Sequence, residues 1–160
     1  MSIILWIDPG ITTIGYAIIK KHSNSDYELI DFGISSTTPK IDLSVKLLEI
    51  WKDMNNLIQN FKPDIMSIEK LFFQNNIKTW IDVAQARWVM MYEAMKNNLK
   101  ILEYTPLQVK KAITWNGQAK KIQLQRAIQI IMKLEELPKP DDAADAIGLA
   151  YMGALNNRII

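Results

Sequence analysis

The N-terminal part of the chain alternates short apolar runs with tight polar breaks, and from Ser44 onward apolar residues recur mainly at helical spacing. Ile3 to Ile7 is a branched apolar run of strand length, stopped by the turn formers Asp8-Pro9-Gly10. Gly15 to Lys20 predicts a second strand, antiparallel to the first across that short connection. Tyr27 to Ser35 predicts a third, beyond the polar turn Lys21 to Asp26. Val45, Leu48, Trp51, Leu57, Ile58 and Phe61 share a helical period that ends before Pro63. Next come a strand over Ile65 to Ile68, a helix from about Lys78 to Asn98 and a short strand over Ile101 to Tyr104. Helices over Leu107 to Thr114, Lys120 to Leu134 and Asp142 to Asn156 complete the pattern. The Pro-rich stretch Leu137 to Pro140 reads as a loop inside the domain, and no repeat or linker is evident.

This order predicts an α/β fold: a three-strand antiparallel meander plus two parallel strands in one mixed five-stranded sheet, with helices on both faces. A right-handed crossover sets the Ile65 strand parallel to the Ile3 strand and beside it. At 160 residues the chain forms one domain, residues 1–156, followed by a short tail, 157–160. The net charge of +2 permits nucleic-acid binding without requiring it. The absence of cysteine excludes disulfides and thiolate zinc sites. With no signal-peptide pattern and no apolar run near the roughly 20 residues that span a bilayer, the chain reads as soluble and cytoplasmic.

Against that frame four carboxylates stand out: Asp8, Glu69, Asp142 and Asp145. Asp8 and Glu69 each close an apolar strand, and the crossover brings both to one edge of the sheet, where open α/β folds place their ligands. Asp142 and Asp145 share a face at the start of the last helix. Ala143 and Ala144 leave space around them, and Ala146, Ile147, Leu149 and Ala150 give that helix an apolar face for docking. Each acid also has a plainer role: Asp8 in its turn, Asp142 and Asp145 at a helix N-terminus, Glu69 as the first polar residue after a strand. Together they would repel one another unless cations offset the charge, and bridging acids of this kind suit a two-metal phosphoryl-transfer site.

The same residues resemble a known family. Ile-Leu-Trp-Ile-Asp-Pro-Gly (4–10) followed by Gly15-Tyr16-Ala17 is similar to the opening of the RuvC Holliday junction endonucleases. Three further stretches match in family order and spacing: Pro63-Asp64 to Phe72 with its Ile-Glu-x-x-Phe core, Glu103-Tyr104 to Lys110, and Asp142-Ala-Ala-Asp145-Ala146. The resemblance implies a ribonuclease H-like fold, a homodimer, and a metal-dependent endonuclease that resolves four-way DNA junctions by paired symmetric nicks. It also implies that Asp8, Glu69, Asp142 and Asp145 hold two Mg²⁺ ions, with Mn²⁺ as a substitute. Trp6 departs from the pattern, since the family usually has Gly beside the first acid. The source is read as a bacterium or a phage acting in the host cytoplasm, and a branch-migration motor is not indicated by the sequence.

Lys110, Lys111, Lys120, Lys121 and Arg126 concentrate positive charge that can pair with phosphates, although such a run also suits a solvated helix face. The resemblance places Lys110 and Lys121 at DNA-contacting positions, with Lys121 the residue expected to stabilise charge on the phosphoryl group. It likewise assigns Phe72 to DNA bases at the branch and Phe73 to the core. His22, in a surface turn, is expected to be structural. Apolar residues run more than one stripe around the helix after Lys78 (Trp80, Ile81, Val83, Trp88, Val89, Met90, Met91, Met95), which independently favours a second copy as partner. Two alternatives keep the fold: a broader nuclease of forks and flaps, and a non-catalytic junction binder. An ATP-binding domain of the actin and sugar-kinase type opens similarly but needs a second half that this length does not supply.

Overall fold

The computed structural model describes residues 1–24, 26–71 and 77–136 together with Ile147 and Tyr151, and for residues 77–79 and 121 the backbone alone. Five strands form one sheet: β1 (Ser2–Asp8), β2 (Thr13–Lys21), β3 (Tyr27–Ser36), β4 (Ile65–Glu69) and β5 (Lys100–Tyr104). Their order is β3-β2-β1-β4-β5, with an antiparallel meander at one side and parallel β1–β4 and β4–β5 pairs at the other. Helices α1 (Leu43–Phe61), α2 (Ile77–Lys96), α3 (Pro106–Thr114) and α4 (Lys121–Ile131) connect and cover it. This is the mixed sheet expected from the hydrophobic pattern.

Strand alternation divides the core in two. Leu5, Ile7, Ile18, Met66 and Ile68 point to one side, where Ile50, Met54 and Ile58 of α1 and Ala86, Met90 and Ala94 of α2 cover them. Ile4, Trp6, Ala17, Ile19 and Ile65 point to the other, beneath Val109 and Ile113 of α3, Leu124 and Ile128 of α4, and Ile147. Burying each such aliphatic side chain contributes about 1.5–3 kcal/mol, so both layers of helices are held mainly by this sheet.

Local chemistry sets the joints. Proline at 63 stops α1, whose cap Lys62 turns left-handed at φ 48°. Ile3 N–H then donates to Asp64 Oδ2 at 2.8 Å, and Asp64 N–H to Ile3 O at 2.9 Å, pinning the start of β4 to β1. Thr105 and Gln108 form a reciprocal capping box with Pro106 in the first turn, so α3 begins directly at the end of β5. Two helices end earlier than their periodicity suggests. Asn98 (φ 61°) and Lys133 (φ 53°) are left-handed, and Leu99 and Leu134 donate back to Ala94 and Gln129, both at 3.0 Å. This is the Schellman pattern of helix termination. The helix expected over Asp142 to Asn156 and the tail 157–160 lie outside the described residues, apart from Ile147 and Tyr151, both helical. No helix among the described residues is long and apolar enough to cross a membrane.

Candidate active site at the ends of the parallel strands

The β1–β4 register runs from Ile4 beside Ile65 to Ile7 beside Ile68, so Asp8 and Glu69 come next, adjacent at the carboxyl ends of two parallel strands. By alternation Asp8 shares the face of Ile4 and Trp6, and Glu69 that of Ile65 and Ser67, which is the α3/α4 side of the sheet. Both acids are half-buried. Asp8 leads into a tight turn: a Cβ on Gly10 would stand 2.0 Å from the Thr13 carbonyl oxygen, so only glycine fits there. Glu69 lies beside Tyr104 of β5, and the next residue, Lys70, extends the ladder by donating to Tyr104 O at 2.8 Å.

One pleat below the acids lies Trp6, fully buried. Its neighbours across the two adjacent strands are Ala17 and Ser67, small residues that leave room for the indole where the family resemblance led us to expect glycine. The Trp6 Nε1 and Ser67 Oγ atoms are buried with no hydrogen-bond partner among the described residues. The bulk of Trp6 is therefore taken up in the floor of the site.

Asp142, Asp145, Phe72 and Phe73 fall outside the described residues. Among the described residues no three acids or histidines come together, and of the four expected acids only Asp8 and Glu69 lie among those residues. Ile147, two positions after Asp145, is fully buried in the core of the α3/α4 face. Tyr151 packs edge-on against Tyr27 with ring centroids 5.2 Å apart, and burial raises the pKa of both phenols above the ordinary tyrosine value.

On the same side of the sheet, Lys111, Lys120 and Arg126 are exposed on α3 and at the start and middle of α4, while Lys110 is half-buried. Among the described residues none of these four forms an ion pair. The side chain of Lys121, the first residue of α4, lies outside the described residues. His22 sits in the bend after β2, at the end of the sheet opposite Asp8, with Nε2 2.7 Å from Glu28 Oε2. It is remote from the acids, as expected of a structural histidine.

Sequence reasoning passed over Arg87. Its Nε–H donates to the backbone oxygen of Glu69 at 3.1 Å, and its Nη2 pairs with the Glu103 carboxylate on β5. The signal available in the sequence was a single arginine between the apolar stripes of a helix whose other charged residues are Lys78, Asp82, Glu93 and Lys96. The second apolar stripe expected on α2 is visible: Ile81, Trp88, Tyr92 and Met95 are 49–66 % exposed at helical spacing, while Ala86, Met90 and Ala94 are buried against the sheet. As donors, Asp8 and Glu69 are hard carboxylate oxygens with neither thiol nor imidazole nearby, a set that suits Mg²⁺ or Mn²⁺ rather than a soft metal.

Comparison with known proteins agrees with this architecture. The family model described as crossover junction endodeoxyribonuclease RuvC matches residues 4–152. The RuvC of Halothermothrix orenii is 46% identical over 148 residues, covering 92% of this chain and 89% of that one. The RuvC of Caldicellulosiruptor saccharolyticus is 42% identical, covering 96% and 93%. Among solved structures, T. thermophilus RuvC in complex with Holliday junction substrate superposes with a TM-score of 0.92 at 24% identity, covering 99% of this chain and 96% of that one. The yeast mitochondrial Holliday junction resolvase Ydc2 superposes at 0.69 with 15% identity, covering 95% and 81%. These likenesses give the fold as ribonuclease H-like. By sequence, the chain belongs to the RuvC family of crossover junction endodeoxyribonucleases.

Proposed function

We propose that this protein is a metal-dependent, structure-selective DNA endonuclease that resolves four-way junctions by paired, symmetric nicks in the bacterial cytoplasm. The observation that carries the reading is the adjacency of Asp8 and Glu69, on one face, at the carboxyl ends of neighbouring parallel strands. Burial of Ile147 on that same face supports adding Asp142 and Asp145 to the site.

In this reading Asp8, Glu69, Asp142 and Asp145 hold two Mg²⁺ ions, for which Mn²⁺ can substitute. Those ions, when bound, supply activation of the attacking water and stabilisation of the leaving 3′ oxygen. The rigid strand ends fix the acids before DNA arrives, which limits the reorganisation needed in the transition state. Lys121 stabilises charge on the phosphoryl group, while Lys110, Lys111, Lys120 and Arg126 position the backbone through phosphate contacts. Phe72 stacks on unpaired bases at the branch point.

Pairing of the nicks follows from a homodimer built on α2, whose second apolar stripe has no cover within the described residues. A two-fold dimer presents two acidic sites to a junction that is itself nearly two-fold symmetric. The test compares nicking of a labelled four-way junction, a flap and a matching linear duplex, with and without Mg²⁺. Symmetric, metal-dependent cuts confined to the junction are expected. Equal cutting of the flap would replace the proposal with a general branch nuclease, and binding without cleavage would leave a structural DNA binder.

A further inference from the structure

The arginine on α2 reaches across the ends of two strands. The Arg87 side chain is only 11% exposed, although α2 offers solvent on its outer side. Its guanidinium spans two strands: Nε–H reaches the carbonyl oxygen of Glu69, the last residue of β4, and Nη2 takes the carboxylate of Glu103 on β5. Glu103 lies beside Ile68 in the parallel register, so the two contacts close a bracket around the final residue of β4. Beyond it the ladder continues by the Lys70 to Tyr104 bond.

A half-buried guanidinium bonded in this way is held by geometry, since its planar fork presents two donors in fixed directions that an ammonium cannot match. Its charge is taken by Glu103, so its effect on Glu69 is exerted on the backbone rather than on the carboxylate. A metal-binding carboxylate needs its position fixed to within about 0.5 Å, which requires support from neighbouring groups. The end of a strand leading into a loop lacks that support unless something outside the ladder supplies it. We propose that Arg87 is a positioning residue for the metal centre, setting the reach of Glu69 by clamping the end of β4 between α2 and β5. This rests on the reading of Glu69 as a metal ligand.

The test uses the intact protein without DNA, with Mn²⁺ as the probe. Calorimetry gives the Mn²⁺ affinity of wild type, Arg87→Gln, Arg87→Lys, Glu103→Gln and Glu69→Gln. Amide exchange at Lys70 is followed in the same proteins free of metal. Arg87→Gln is expected to weaken Mn²⁺ binding at least tenfold and to speed Lys70 exchange at least tenfold, with the Ile7–Ile68 region unchanged. Arg87→Lys, which keeps the charge but loses the fork, and Glu103→Gln should both move in the same direction by a smaller factor, and they decide the matter if Arg87→Gln fails to fold. Unchanged Lys70 exchange in the folded Arg87 variants overturns the proposal. So does unchanged Mn²⁺ affinity in those variants while Glu69→Gln loses it. If Glu69→Gln itself binds Mn²⁺ like wild type, the fault lies in the assignment of the metal ligand instead.

Discussion

Glu93 and Glu69 are carboxylates on opposite faces of the same sheet, and the protein treats them in opposite ways. Glu93, on α2, is fully buried and satisfied: Trp51 Nε1 donates at 2.6 Å, Asn97 Nδ2 at 3.0 Å, and Lys96 Nζ stands 3.5 Å away. It ties α1 to α2 and leaves nothing for a ligand to do. Glu69 is half-buried at a strand end, next to a second acid, with the positive charge nearest its backbone already committed to Glu103. One side of the sheet is finished structure. The other brings two carboxylates together at adjacent strand ends, over two buried polar atoms without a hydrogen-bond partner among the described residues, with exposed lysines on the helices of the same side.

That contrast can be broken most sharply at the acids. Asp8→Asn and Glu69→Gln should each lower junction nicking by at least about a thousandfold, since each removes a charge on which the metal site depends. Single-turnover cleavage measures it, and melting in metal-free buffer should show no loss of stability, because like-charge repulsion is relieved. Glu93→Ala should do the reverse. Removing a buried, fully bonded carboxylate costs about 3 kcal/mol, read from denaturant unfolding, while nicking per folded molecule persists.

The outer stripe of α2 sharpens the picture at the next level down. Trp88→Ser is expected to weaken self-association by about 2 kcal/mol, roughly 30-fold in Kd by sedimentation, and to uncouple the two nicks. The smallest effect concerns the floor of the site. Ser67→Ala removes a buried hydroxyl that has no partner among the described residues and should stabilise the fold by about 1 kcal/mol in a melting curve. A loss of stability there would show that the hydroxyl is satisfied in solution.

How much of this was legible beforehand depends on how far apart in sequence the interacting groups lie. The apolar runs ending at Asp8 and Glu69 specify their own strands, and the crossover rule supplies their adjacency, so this half of the candidate site could be read directly. The ends of α2 and α4 were read too long because Asn98 and Lys133 adopt left-handed backbone that periodicity does not encode; Asn98 was the one readable hint. The fit of Trp6 depends on Ala17 and Ser67 falling beside it, a matter of register across two strands. Arg87 and Glu93 were missed for the same reason: Glu103 and Trp51 meet them only in three dimensions.

The central claim is that four acids from distant parts of the chain form one metal site. Mn²⁺ binding to wild type, Asp8→Asn and the double variant Asp142→Asn/Asp145→Asn, measured without DNA by calorimetry, tests it most directly. The account predicts that both variants lose at least tenfold in affinity and remain folded. Wild-type affinity in the double variant, with loss only in Asp8→Asn, would contradict it and confine the site to the strand ends.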